Sequence, residues 1–179
     1  MSSDSELYDL AERVGHKLKA AGRRLVTAES CTAGWVAKAL TDVPGSSHWF
    51  ECGYVTYSDT AKVRDLGVAP RTLESFGAVS EQAVREMAEG ALRVSGAQVA
   101  LAVSGIAGPD GGTPDKPVGT VWFCAAARGE PATEIITEEQ HFDGDRAFVR
   151  SRSVEYGLRL ILRLDLPVRP KASGTPARP

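Results

Sequence analysis

Hydrophobic residues follow two spacings along the chain, and these spacings predict alternating helices and strands. An apolar repeat of three and four residues runs from Leu7 to Leu18 and stops at Gly22, as in an amphipathic helix. Similar repeats predict helices over residues 32–42, 60–66, 80–92 and 145–164. Short apolar or β-branched runs predict strands over residues 25–28, 50–57, 99–103, 118–127 and 132–142. The stretch through Pro70 and Gly77 is predicted to be a loop.

The order of these elements predicts a single α/β domain with three layers. The run Val99–Val103 is apolar at every position, which is typical of a strand buried on both faces. Helices would therefore cover both sides of a mixed β-sheet, with a hairpin near Gly129. We expect an α/β/α sandwich over residues 1–166. Residues 167–179 are rich in Pro, Gly, Ser and basic residues, and we expect them to form a disordered basic tail.

Composition narrows the class of protein. With 179 residues, 42% of them hydrophobic, the chain can build one sizeable core, and its net charge of −2 gives no reason to expect a nucleic-acid partner. The cysteines (Cys31, Cys52 and Cys124) are odd in number and widely spaced, so neither a disulfide framework nor a metal site is expected. The polar N-terminus does not read as a signal peptide, and no apolar stretch is long enough for a membrane span. We expect a cytoplasmic protein.

The stretch Thr27–Trp35 is the strongest candidate for chemistry, because a predicted strand meets a predicted helix there. Ser30, Cys31 and Thr32 place hydroxyl and thiol groups at the junction. Free N–H groups at a helix start favour negative charge, so they suit an oxyanion or a phosphate. Ser30 is a candidate nucleophile, and Cys31 is an alternative because a helix N-terminus lowers a thiol pKa. The plain alternative is an N-cap, a position that Ser and Thr often occupy.

A second strand-to-helix junction places Lys62 in the first turn of a helix, close to Tyr57. The helix dipole opposes a cation at this position, so we expect a lowered pKa for the Lys62 ammonium. A neutral amine could serve a serine nucleophile as its general base. The alternative is a solvated surface lysine.

A glycine-rich loop, Ser104–Gly112, is predicted after the buried strand. Ligands of open α/β sheets bind beyond the carboxyl ends of strands, and Gly105 and Gly108 would let backbone N–H groups approach a phosphate. Ser104 begins this segment. The alternative is a plain connecting loop.

Two further segments carry groups that could bind a ligand. Arg146 lies in the first turn of the last predicted helix, where it could hold a phosphate or carboxylate through two parallel hydrogen bonds. An ion pair with Asp143 is the alternative. Ser46 and Ser47 could bond to a ligand or simply shape a turn.

Taken together and in order, these segments resemble the CinA C-terminal domain family over residues 4–165. They are most similar to the stand-alone bacterial nicotinamide-nucleotide amidases of that family. The motifs are Ala28-Glu29-Ser30-Cys31-Thr32, Gly45-Ser46-Ser47-x-Trp49-Phe50, Val55-Thr56-Tyr57-Ser58-x-x-Ala61-Lys62, Gly77-Ala78-Val79-Ser80-Glu81, the segment 104–112, Lys116-Pro117-Val118-Gly119-Thr120-Val121 and Phe142-x-Gly144-Asp145-Arg146. One departure is Ala33, where glycine is common in the family, and we expect alanine there to require a negative φ.

The resemblance implies hydrolysis of nicotinamide mononucleotide to nicotinic acid mononucleotide and ammonia. It implies a serine–lysine dyad, which falls on Ser30 and Lys62, and it requires neither a metal nor another cofactor. N–H groups near Cys31 and Thr32 would hold the oxyanion. Tyr57 would join the catalytic residues, where it could hold the lysine or relay a proton. The residues in motifs around the substrate would be Ser46, Ser47, Ser104, Gly105, Gly108 and Arg146.

Two other functions stay open at this point. One is a non-catalytic module that binds a nucleotide or a partner protein, and the other is hydrolysis of a different small amide or ester. The sequence also leaves the oligomeric state open, although small metabolic enzymes are often symmetric homo-oligomers.

Overall fold

Six helices and five strands make up the computed structural model, which describes residues 3–129 and 132–168. The strands are β1 (Leu25–Glu29), β2 (Phe50–Val55), β3 (Val99–Gly105), β4 (Thr120–Ala127) and β5 (Glu134–His141). The helices are α1 (Asp4–Ala21), α2 (Trp35–Thr41), α3 (Asp59–Leu66), α4 (Pro70–Phe76), α5 (Glu81–Ser95) and α6 (Arg146–Arg163). A short 3₁₀ helix, Ser46–His48, precedes β2. None of the described helices has the length and apolar character needed to cross a membrane.

The five strands form one mixed sheet in the order β2-β1-β3-β4-β5. β1 runs parallel to both β2 and β3, whereas β3, β4 and β5 pair in antiparallel fashion. The hairpin predicted near Gly129 is therefore the β4–β5 connection. Because β1, β2 and β3 point the same way, their carboxyl ends meet at one edge of the sheet.

Helices cover both faces of this sheet, which confirms the three-layer α/β/α prediction. Successive residues of β3 serve opposite faces, because side chains alternate along a strand. Leu101 and Val103 pack into the apolar cluster formed with α1, α2 and α6. Ala100 and Ala102 pack into the second cluster, on the side of α3, α4 and α5. Burial on both faces explains why residues 99–103 of this strand are all apolar. The predicted end of the domain at residue 166 stays a prediction, and residues 169–179 of the predicted tail lie outside the described residues.

The prediction of a loop through Pro70 and Gly77 is wrong, because α4 occupies most of it. Pro70 stands in the first turn of this helix, where its missing N–H costs nothing. Glu86 of α5 completes the helix start: its carboxylate accepts hydrogen bonds from the Ala69 N–H at 2.7 Å and from the Thr72 hydroxyl at 2.7 Å. The capping group lies 17 residues away from Ala69, so the local sequence does not contain it.

The close approach of α3 to α5 depends on Gly90. A Cβ at this position would lie 2.0 Å from the carbonyl oxygen of Leu66, at the end of α3. We expect Gly90→Ala to lower the free energy of unfolding by roughly 2 kcal/mol, because the backbone of α3 must move away. Circular dichroism should then show a melting temperature lower by about 6 °C. Glu89→Ala, on the exposed face of the same helix, is the matched control, and an equal effect of both variants would contradict this packing argument.

Candidate active site

The candidate site lies at the sheet edge where the carboxyl ends of the parallel strands meet, the usual place for a ligand in an open α/β sheet. Backbone pairing continues one residue past each strand there. The Ser30 N–H donates to the Val103 carbonyl at 2.9 Å, and the Thr56 N–H donates to the Glu29 carbonyl at 2.9 Å. These bonds hold Ser30 beside Val103 of β3 and hold Thr56 beside Glu29, the last residue of β1.

Ser30 and Lys62 meet at this edge. The Nζ atom of Lys62 lies 3.1 Å from Ser30 Oγ, and it also donates to the carbonyl oxygens of Thr56 at 2.9 Å and Tyr57 at 3.3 Å. Lys62 is 1% exposed and Ser30 is 8% exposed. Ser58 caps α3 by accepting a hydrogen bond from the Ala61 N–H at 3.1 Å, and this fixes the turn that carries Lys62. The alternative of a solvated surface lysine is wrong, because the side chain is buried.

The amine of Lys62 is held without a carboxylate. Burial lowers its pKa, while the nearby Asp59 carboxylate acts in the opposite direction. The predicted direction is confirmed, and burial is its largest cause. Among the described residues, no carboxylate forms an ion pair with this lysine. A neutral amine can donate to the two carbonyl oxygens and keep its lone pair for the Ser30 hydroxyl.

Cys31 is poorly suited to nucleophilic attack. The expected lowering of its pKa is wrong: burial raises the pKa of the thiol to about 12. The physical reason is its position, since α2 begins only at Trp35 and the thiol lies in an apolar cluster instead of at a helix start. The thiol therefore stays protonated at neutral pH, and the thiolate is the reactive form.

The start of α2 is occupied by Glu29. Its buried carboxylate accepts hydrogen bonds from the N–H groups of Gly34 at 2.9 Å, Val36 at 3.0 Å and Ala37 at 2.9 Å. The prediction that a helix starting near Thr32 offers free N–H groups is therefore wrong. The Glu29 carboxylate already occupies the position at the start of α2 where an anion would bind. Cys31 and Thr32 lie in the turn before this helix.

The turn that leads into α2 has two consecutive residues with positive φ, Ala33 at +51° and Gly34 at +91°. The Trp35 N–H closes it by donating to the Thr32 carbonyl at 3.2 Å. Positive φ at both central positions is the requirement of a type I′ turn. The expectation of a negative φ at Ala33 is therefore wrong, because the turn geometry overrides the preference of alanine.

Replacing Ala33 by glycine should stabilise the protein. Alanine pays a steric cost of roughly 1 kcal/mol in the left-handed region, which glycine does not pay. We expect Ala33→Gly to raise the free energy of unfolding by about 0.5 kcal/mol or more, measured by urea denaturation. Ala37→Gly, inside α2, is the matched control and should lower it by about 1 kcal/mol. A loss of stability in Ala33→Gly would show that the turn is not strained.

Tyr57, Gly108 and Arg146 come together at the mouth of the site. The Arg146 guanidinium donates to the Tyr57 hydroxyl at 3.1 Å and to the Gly108 carbonyl at 2.9 Å. Tyr57 is 58% exposed, and its backbone carbonyl accepts a hydrogen bond from Lys62. This cluster joins the start of α6 to the end of β2 and to the loop after β3.

Ser104 and Gly105 belong to β3, so the prediction that the loop begins at Ser104 is wrong. The buried Ser104 hydroxyl donates to the Ala78 carbonyl at 2.7 Å and ties the segment before α5 to the sheet. Gly105 pairs with Val121 of β4, and a Cβ there would lie 2.9 Å from the Thr120 carbonyl oxygen. Strand pairing accounts for both residues.

Ser46 and Ser47 lie at the opposite end of the parallel strands, where β1 and β2 begin. They form the 3₁₀ helix before β2, and the Ser47 carbonyl accepts a hydrogen bond of 3.4 Å from Arg24, the residue before β1. Five strand residues, about 16 Å, separate this end from the one that carries Ser30. Within this chain, the structure does not bring the two serines to the Ser30–Lys62 pair.

Glu29 and Arg150 hold the turn around Ser30, and neither was among the predicted site residues. Arg150 donates from Nε to the Cys31 carbonyl at 3.0 Å and from Nη2 to the Thr32 carbonyl at 3.0 Å. Two sequence signals point to these residues. Glu29 is the one charged residue in the buried run 25–29, and Arg150 follows Arg146 by one helical turn on α6. Within the described ranges, no three His, Cys, Asp or Glu side chains gather where they could hold a metal ion.

The fold and this edge define a three-layer α/β protein with a buried serine–lysine pair at the end of its parallel strands. The chain belongs to the CinA C-terminal domain family, whose model matches residues 7–164. It is 55% identical over 160 residues to the nicotinamide-nucleotide amidohydrolase PncC of Escherichia coli K12, with 89% of this chain and 94% of that protein covered. The protein of the same name from Enterobacter agglomerans is 52% identical over 161 residues and is covered to 96%, against 90% of this chain.

The solved structures agree with the fold. The competence/damage inducible protein CihA of Agrobacterium tumefaciens superposes with a TM-score of 0.83 at 40% sequence identity, covering 88% of this chain and 94% of that one. The expected family and fold are thus confirmed.

Proposed function

We propose that this protein hydrolyses the carboxamide of nicotinamide mononucleotide to nicotinic acid mononucleotide and ammonia. The observation that carries the proposal is the 3.1 Å contact between Lys62 Nζ and Ser30 Oγ inside the fold. A serine becomes nucleophilic when an adjacent base takes its proton, and a desolvated lysine can supply that base. The names of the two amidohydrolases, each more than 50% identical to this chain, support the nucleotide as the substrate.

In the first half of the reaction, Ser30 Oγ attacks the amide carbon while neutral Lys62 accepts the hydroxyl proton. Backbone N–H groups of Cys31 and Thr32 stabilise the oxyanion of the tetrahedral intermediate. The C–N bond then breaks, and Lys62 returns the proton to the departing nitrogen, which leaves as ammonia. Ser30 is left as an ester of the pyridine carboxylate.

In the second half, water attacks this ester and Lys62 again accepts a proton. The ester bond to Ser30 breaks, the hydroxyl is restored, and nicotinic acid mononucleotide leaves. The net reaction adds one water molecule across the amide bond.

Arg146 and the loop around Gly108 bind the ribose phosphate in this proposal. Arg146 is exposed, and among the described residues it has no carboxylate partner, so its charge is available to an anion. Tyr57 stands next to it and orients the guanidinium through its hydroxyl. In the proposed binding mode, the phosphate lies at the mouth and the reacting amide lies at the buried pair.

Substitution of the nucleophile is the direct test. Ser30→Ala should lower ammonia release from nicotinamide mononucleotide at least ~10³-fold, because the acyl-enzyme cannot form. Cys31→Ala should stay within about threefold of the parent, because the protonated thiol takes no part. A coupled ammonia assay measures both variants. Near-normal turnover by Ser30→Ala would refute the nucleophile assignment.

The same assay separates the competing functions when it is run on nicotinamide mononucleotide, nicotinamide and glutamine. The proposal expects ammonia from the nucleotide in clear preference to the other two amides. Ammonia from glutamine or free nicotinamide alone would indicate a different small-amide hydrolase. Tight nucleotide binding without any ammonia release would indicate a binding module.

The pH dependence tests the base. Because Lys62 must be neutral, kcat/KM should rise with pH through one ionisation whose midpoint lies below the ordinary lysine value of 10.5. Lys62→Met should lower kcat/KM by about 10²- to 10⁴-fold and abolish this rise. Lys38→Met, which removes an exposed lysine paired with Asp42, is the control and should keep the parental profile. Recovery of a normal rate by Lys62→Met at high pH would argue against lysine as the base.

A further inference from the structure

Arg150 is built into the turn that carries the proposed nucleophile. Its half-buried guanidinium donates to the carbonyls of Cys31 and Thr32, both at 3.0 Å, and stacks over the Trp35 ring with 5.5 Å to the centroid. Among the described residues it forms no ion pair with a carboxylate. Its hydrogen bonds are therefore directed to backbone carbonyl groups. This is unusual, because a guanidinium group more often pairs with a carboxylate or a phosphate.

The two carbonyl contacts fix the direction of a backbone N–H group. Across a planar trans peptide, the C=O and the following N–H point in opposite directions. With the Cys31 carbonyl held against α6, the Thr32 N–H must point away from α6. Helix α6 belongs to one layer, whereas Lys62 reaches the site from α3 in the other layer. The Thr32 N–H is thus directed to the side of the turn where Ser30 meets Lys62.

This N–H group faces the sulfur of Cys31, which is only a weak hydrogen-bond acceptor. Within the described residues, neither the Cys31 N–H nor the Thr32 N–H donates to a protein oxygen, while the Ala33 N–H is used by the Ser30 carbonyl at 3.0 Å. The start of α2 cannot serve in its place, because Glu29 occupies it. Of the N–H groups in residues 30–37, those of Cys31 and Thr32 are the two without a protein oxygen as acceptor, so they are the ones that this segment offers to an oxyanion on Ser30.

We infer that Arg150 is a positioning residue for the oxyanion site, because it locks the Cys31–Thr32 peptide with its N–H toward the reacting carbonyl. The inference rests on the proposed function, since it takes Ser30 as the nucleophile. Arg150 acts through the peptide and does not touch the substrate. Its role differs from that of Arg146, which stands one turn earlier at the exposed mouth.

The test compares Arg150→Met with Arg159→Met, a change of the same type on α6 at an exposed arginine that pairs with Glu155. We expect Arg150→Met to lower kcat for nicotinamide mononucleotide about 100-fold, as for loss of one oxyanion donor. Affinity for nicotinic acid mononucleotide, measured by calorimetry, should stay within about threefold, because the planar product needs no oxyanion donor. Arg159→Met should change neither quantity.

Arg150→Lys provides a conservative variant that keeps the charge. The lysine ammonium cannot bond to both carbonyls at once as the planar guanidinium does. We therefore expect the kcat of Arg150→Lys to lie between the kcat of Arg150→Met and that of the parent. In ¹⁵N-resolved NMR spectra, the Thr32 amide signal should shift in Arg150→Met and stay in place in Arg159→Met. A parental kcat in folded Arg150→Met, an equal loss of kcat and product affinity, or an unmoved Thr32 signal would each overturn the inference.

A second probe separates this inference from the choice of substrate. p-Nitrophenyl acetate should acylate Ser30, and mass spectrometry follows the added acetyl group. If the parent releases no ammonia from the nucleotide but is acylated, the proposed function fails and Arg150 can still be judged. Slower acylation of Arg150→Met than of Arg159→Met supports the inference, and equal rates or an unreactive Ser30 in the parent contradict it.

Discussion

The burial of one amino group organises the candidate site. Lys62 is 1% exposed, so it has exchanged water for two backbone carbonyls and one hydroxyl. Removing a cation from water is costly unless it is paired, and no described carboxylate pairs with this one, so burial disfavours the protonated form. The same loss of water that lowers its pKa also makes the amine a stronger partner for the adjacent serine. The carbonyl oxygens that hold it belong to Thr56 and Tyr57, the two residues directly after β2, so the end of the strand positions the base.

The turn around Ser30 is held by charge from two sides. The Glu29 carboxylate accepts hydrogen bonds from three backbone N–H groups at the start of α2. The Arg150 guanidinium donates to the carbonyls of Cys31 and Thr32, in the turn before that helix. A carboxylate can only accept and a guanidinium can only donate, so the two side chains satisfy opposite ends of neighbouring peptide groups. A turn held in this way can include the unfavourable φ of Ala33, because the surrounding hydrogen bonds determine its shape.

Much of the fold could be predicted because its signals are periodic. The apolar run Val99–Val103 indicated a strand covered on both faces, and the structure places it between two apolar clusters. The exceptions are elements whose ends depend on groups in other elements. Helix α4 is capped by Glu86 of α5, and β2 ends two residues before its predicted boundary, because the carbonyls of the next two residues, Thr56 and Tyr57, accept hydrogen bonds from Lys62. Glu86 is too far along the chain from Ala69 to appear in a local pattern, and the burial of Lys62 against the two carbonyls arises only when the elements pack.

The sequence by itself determined the alternation of helices and strands, the two junctions that carry Ser30 and Lys62, and the resemblance to a family. These features depend on local spacing and on the order of motifs, which a single chain displays directly. Only the tertiary structure decided that Lys62 is buried against Ser30, that Glu29 fills the helix start, and that Ser46 and Ser47 lie at the opposite end of the parallel strands. The physical reason is that desolvation, hydrogen-bond direction and distance across the sheet arise only when separate segments pack together.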